Sequence, residues 1–147
     1  MSMHAAAPEP RFQLIQASRD GLPALIMVNT SLHPDVDAEA FPWLVSLSIP
    51  ILNMNQARLC DDQESQRLNA FEDALLAGME DSAYRYVGHI TWNGIRDVLF
   101  YVAKPEQAVE YLNTQMQLSD SPNTKVHIAT KHDPEWKVYR KYSLARN

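Results

Sequence analysis

A chain of 147 residues, 46% hydrophobic and 21% charged, has the balance of one soluble globular domain that can bury a core without staples. Its formal net charge of -5 argues against a broad grip on nucleic acid, which needs Lys and Arg to neutralise phosphates. Cys60, the single cysteine, can close no internal disulfide and has no Cys/His framework around it, so structural zinc is not expected and a reducing cytoplasm suits the chain.

The opening "MSMHAAAPEPRF" has no basic stretch before a long apolar core and does not read as a secretory signal. No apolar run approaches the roughly 20 residues that cross a bilayer. A disordered lead-in is expected over residues 1–10, with a single domain over 11–147. "RFQLIQAS", Arg19-Asp20-Gly21 and "LPALIMVNTSL" then read as a β-hairpin, because Gly accepts the positive φ of a tight turn. Pro23 belongs at a strand start or edge. "LHPDVDAEAF" reads as a loop with a helical turn at 37–41. In "PWLVSLSIPIL", Trp43, Val45, Leu47 and Ile49 alternate with Leu44, Ser46 and Ser48, a strand that Pro50 ends.

A helix is expected over 62–80, opened by a capping box of Asp61 and Glu64. Leu68, Phe71, Leu75 and Met79 form its apolar stripe, which leaves Asp62, Glu64, Arg67, Glu72 and Asp73 for the solvated side. "AYRYVGHITW" and "IRDVLFYVA" flank Asn93-Gly94, the signature of a type I′ hairpin. Strict alternation in its first arm puts Tyr84, Tyr86, Gly88 and Ile90 on one face and Arg85, Val87, His89 and Thr91 on the other. Apolar residues on both faces place at least one arm inside the sheet. Pro105 opens a helix carrying Ala108, Val109, Leu112 and Met116, which ends before "SDSPNT". "TKVHIAT" reads as a last strand, and Asp133-Pro134 as the N-cap and first residue of a terminal helix reaching about Tyr142. From the third strand on the order is βαββαβ. This is a ferredoxin-like α+β unit with an added N-terminal hairpin and a C-terminal helix, the helices covering one face of a mainly antiparallel sheet.

Chemical motifs are sparse. Four scattered glycines form neither GxGxxG nor GxxxxGK[ST], so no phosphate cradle and no cofactor is expected. His127 and His132, with Asp133 and Glu135, have metal-ligand chemistry. Asp133 already has a capping task, however, and no HExxH or facial-triad spacing occurs, so a plain strand-to-helix junction is preferred and no metal is expected. Cys60 precedes a helix start, which favours a thiolate, but Asp61 and Asp62 oppose it. Glu72, Asp73, Glu80 and Asp81 read first as a wet helix face, and the hairpin aromatics as core packing. In the closing "KHDPEWKVYRKY", Trp136, Tyr139 and Tyr142 are spaced to anchor the terminal helix, with Lys131, Lys137, Arg140 and Lys141 in water.

The helix "NAFEDALLAGME", the run "YVGHITWNGIRDVLFYV" and the closing "DPEWKVY" together resemble the bacterial domain-of-unknown-function family numbered six-nine-five. Its members carry an "ED" pair in a helix, a "G-x-x-T-x-x-G-x-R" strand with an aromatic ending, and a "DP-x-W-x-x-Y" element. Here these match Glu72-Asp73, then Gly88, Thr91, Gly94 and Arg96, then Phe100-Tyr101, and finally Asp133, Pro134, Trp136 and Tyr139. The "G-L-P" usual before the first helix is replaced by "NMNQARLCDD". The resemblance implies no established activity. Some relatives are joined to a domain similar to the protein inhibitor of ribonuclease E, which implies a regulatory or protein-binding role, and a chain of this length is not expected to carry that second domain.

With no catalytic constellation in view, the favoured expectation is a non-enzymatic cytoplasmic module. It would bind a protein partner or a small ligand by its sheet face or an edge strand, or form a homodimer by sheet packing, with no membrane contact. Binding residues are expected among Glu72, Asp73, Arg96, Tyr101, Asp133, Trp136 and Tyr139. The rival expectation is a small hydrolase-like enzyme in which Arg96, Glu72, Asp73 and His89 converge in one pocket.

Overall fold

The structure, a computed structural model, describes residues 8–118 and 125–144. Residues 1–7 of the expected lead-in and the stretch "SDSPNT" lie outside the described residues. The elements are β1 (Phe12–Arg19), β2 (Leu22–Asn29), α1 (Pro34–Asp37), β3 (Trp43–Pro50), α2 (Asp62–Ala77), β4 (Tyr84–Trp92), β5 (Ile95–Val102), α3 (Pro105–Leu118), β6 (His127–His132) and α4 (Lys137–Leu144), with a 3-10 turn at Asp81–Ala83.

The strands form one sheet in the order β1-β2-β4-β5-β3-β6, every neighbouring pair antiparallel. Strands β3 to β6 take the ferredoxin-like arrangement expected from βαββαβ, and the β1–β2 hairpin extends the sheet past β4. Both tight turns have the two positive φ angles of type I′: 51° and 79° at Asp20-Gly21, 49° and 83° at Asn93-Gly94. Pro23 lies one residue outside the β2–β4 pairing, which begins at Ala24, so its missing N–H costs no bond to β4.

The sheet is covered on both faces, not one. Helices α2 and α3 close one side, where Leu68, Leu75, Ala108 and Leu112 pack on Val45, Leu47, Ile49, Val98, Phe100 and Val102. On the other side Phe41, Trp136 and Tyr139 cover Ile26, Val28, Leu44, Ile90, Leu99 and Tyr101. The βαββαβ order accounts for the first layer only. The second comes from the segment 32–41 together with the long-range return of the C-terminus.

The helical turn expected at 37–41 is present, with Asp37 O accepting from Ala40 and Phe41 N–H at 3.1 and 3.0 Å, and it continues a helix that already starts at Pro34. Three local expectations are corrected. Helix α2 ends at Ala77, with Gly78 as its cap. The alternation of β4 breaks at a bulge between Tyr86 and Gly88. As a result His89 and Thr91 share the α2 face with Tyr84 and Tyr86, while Arg85, Val87 and Ile90 face the other core. Finally, α4 starts at Lys137 and not at Pro134, because 133–136 forms a β-turn closed by Trp136 N–H to Asp133 O at 3.0 Å.

Candidate functional site

The largest departure from expectation lies on α2. Its buried residues are Glu64, Leu68, Glu72 and Leu75, a single stripe at spacings of four and three. Two carboxylates assigned to the wet face are therefore inside, Glu64 at 1% and Glu72 at 4% exposure. Burial of a charge is tolerated only with partners, and both have them.

Glu72 accepts from His89 Nδ1 at 3.0 and 3.2 Å with its two oxygens. Arg96 Nη1 stands 3.9 Å from the same carboxylate. Arg96, 4% exposed, is fixed by Nε to Thr91 Oγ1 at 3.2 Å and Nη1 to Asn69 Oδ1 at 2.7 Å. Its Nη2 lies 3.9 Å from Cys60 Sγ. Burial pushes the Cys60 thiol up, and the nearby Glu64 and Asp61 add to this against the opposing pull of Arg96. So Glu72, His89 and Arg96 come together as a buried network. Asp73, the fourth member of the rival expectation, is exposed on the far side of α2 and does not join them.

Glu64 fastens the segment that enters α2. Asp61 accepts from Glu64 N–H at 2.8 Å, the first half of the expected capping box. The Glu64 side chain does not return the bond. It accepts from Leu52 N–H and from Asn53 N–H at 3.4 Å, and pairs in two-pronged fashion with Arg67 at 2.6 and 3.0 Å. The Arg67 hydrogen bond, helped by the backbone donors, holds the Glu64 carboxyl below its usual range despite burial.

Tyr101, Asp133, Trp136 and Tyr139 assemble on the opposite face. The Tyr101 hydroxyl donates to Asp133 Oδ2 at 2.7 Å and accepts from Tyr139 N–H at 3.2 Å. Asp133 also accepts from Lys137 and Val138 N–H at 2.9 and 3.0 Å, capping α4 from outside the helix. Burial acts to raise the Asp133 carboxyl, but these donors and Lys131 outweigh it and leave it below its ordinary value. Burial and the Asp133 hydrogen bond raise the Tyr101 phenol far above its own. Trp136 stacks on Tyr101 with centroids 4.3 Å apart and donates from Nε1 to Phe41 O at 2.7 Å. These four residues form a closed clasp. The register sets His127 opposite Ser48 and His132 opposite Trp43, on opposite faces of β6, so the two imidazoles do not converge.

A groove of about 640 Å³ runs between α3 and β6. Trp43 and Thr130 border it on the sheet, and Glu106, Val109 and Glu110 on the helix. The ring of Trp43 rests against His132, centroids 4.7 Å apart. Beside the groove, β6 pairs with β3 alone and its outer edge takes no strand among the described residues.

Residues 11–144 match the model of a family of unknown function, DUF695. The chain belongs to that family. No curated protein and no solved structure matches it. The DUF695 match spans the Glu72–His89–Arg96 network, the clasp and the groove alike. The sequence of this DUF695 chain pointed to neither Asn69 nor the groove, and it placed Glu64 in the capping box and in water. Thr91 opposite Arg96 follows from the two-residue Asn93-Gly94 turn once that hairpin is accepted. The groove had no local signal, since it exists only where α3 lies across the sheet edge.

Proposed function

We propose that this DUF695 protein is a non-enzymatic cytoplasmic module that holds a partner protein by strand addition to β6, the partner being an extended segment rich in Lys or Arg. The observation that carries this reading is the groove beside an open edge. An added strand would pair its backbone with β6 and lay alternate side chains into the groove under α3. The groove is bordered by Glu106 and Glu110 and, among the described residues, by no Lys or Arg, and Trp43 offers an aromatic face to an aliphatic or cationic side chain. The test is titration with a peptide of alternating Lys and Val against its Glu/Val counterpart, followed by amide hydrogen exchange. Protection of β6 amides by the basic peptide alone, lost in a Glu106→Lys/Glu110→Lys double variant, is expected. Equal binding of both peptides, no binding, or self-association through β6 in place of peptide binding would overturn it.

A second reading, the small hydrolase-like enzyme, is supported by one observation: Glu72 orients His89 through Nδ1, the arrangement that prepares an imidazole as a general base. Against it, Glu72 and Arg96 are buried and the raised Cys60 thiol is a poor nucleophile. Turnover of simple carboxylic or phosphate esters that disappears in His89→Gln would favour this reading over the first.

A further inference from the structure

We infer that the hollow between the end of α2 and the start of α3 is a site for a small zwitterion with an apolar body, of the class of a free apolar α-amino acid. Its volume of about 430 Å³ lies within the range of small-ligand pockets, roughly 300–1,000 Å³.

The inner wall is apolar, made by buried Val102 and Ala108 with half-buried Met79 and Tyr111. Tyr111 is a fixed part of that wall. Its hydroxyl donates to Leu75 O at 2.7 Å and sits over Gly78, where an added Cβ would come within 2.1 Å of the phenol oxygen. Closeness to Gly78 thus lets the ring lie back against α2 and leaves the hollow open.

Among the described residues, the lining includes the acid Glu80 and the base Lys104, and neither forms an ion pair there. A purely anionic guest would face Glu80, and a purely cationic one Lys104. A molecule with an ammonium and a carboxylate on one carbon, and an apolar side chain, matches both charges and the wall together. This site uses the opposite flank of α3 from the groove and stands whether or not a peptide binds there.

The experiment is an NMR titration of the full chain with L-phenylalanine, 3-phenylpropanoate and 2-phenylethylamine. Shifts confined to the end of α2 and the start of α3 are expected, with L-phenylalanine about tenfold tighter than either singly charged analogue. Lys104→Ala should erase its advantage over the amine, and Glu80→Gln its advantage over the acid. Both changes lie on the surface and leave the core intact. Ala83→Trp, which fills the mouth, should abolish all three responses. Equal affinity for the three compounds, shifts unaffected by Ala83→Trp, or no shift with millimolar L-phenylalanine would overturn the assignment.

Discussion

Trp136 holds a left-handed backbone, φ 53°, which a bulky side chain adopts only when its surroundings outweigh local sterics. The surroundings here are the Tyr101 stack, the Nε1 bond to Phe41 O and the turn bond to Asp133 O. The stack and the Nε1 bond join segments distant in sequence, so the side chain fastens the C-terminus to the sheet, while the turn bond fixes its local backbone. Trp136→Ala is expected to lower unfolding free energy by about 3–5 kcal/mol, read from urea denaturation. An unchanged midpoint would mean that the clasp carries no stability. Burial of Trp136 and Tyr139 was legible from their spacing and size. The left-handed turn was not, because Asp-Pro serves a helix start and a β-turn equally well and only the tertiary stack chooses between them.

At the scale of the element, β4 shows how one residue redirects a strand. Gly88 lies at φ 139°, and a Cβ there would stand 1.8 Å from Met27 O on β2. The bulge needs this close approach, and it turns His89 to the α2 face where Glu72 waits. Gly88→Ala is expected to cost more than about 3 kcal/mol, from clash and strained φ together. Hydrogen exchange should accelerate first along β2, and a variant with wild-type stability and unchanged β2 exchange would refute this account of the bulge. The hairpin itself was plain in the sequence, since Asn-Gly between β-rich arms has few other uses. Its side-chain facing was not, because period-two reasoning carries straight through a bulge. Helix α2 misled in a parallel way. Glu64 and Glu72 lie on the same four-residue stripe as Leu68, yet charge alone assigned them to water. Their partners Leu52, Asn53, Arg67, His89 and Arg96 come mostly from other elements, so the sequence of the helix could not disclose them.

Across the whole molecule, each face of the sheet is fastened by a carboxylate whose folded value is depressed. Glu64 ties the β3–α2 segment on one side, and Asp133 ties α4 and Tyr101 on the other. The sign of the linkage follows directly. Both carboxyls lie lower in the folded chain than in the unfolded one, so between those values the unfolded state binds more protons and stability falls as pH falls. Their contribution is complete above about pH 5, clear of the ordinary carboxyl range near 4. It is lost as pH drops through the folded values. Melting temperature followed by circular dichroism should therefore decline steadily from about pH 5 toward pH 2. Glu64→Gln and Asp133→Asn should each melt lower than wild type at pH 7, decline less steeply in acid, and approach the wild-type curve at the acid end. Each substitution removes the titration of one face, so the double variant should show the shallowest slope, with the two reductions adding because the sites lie on opposite sides of the sheet. Curves running parallel to wild type would place the acid sensitivity in other carboxylates and remove Glu64 and Asp133 as the paired fastenings of the fold.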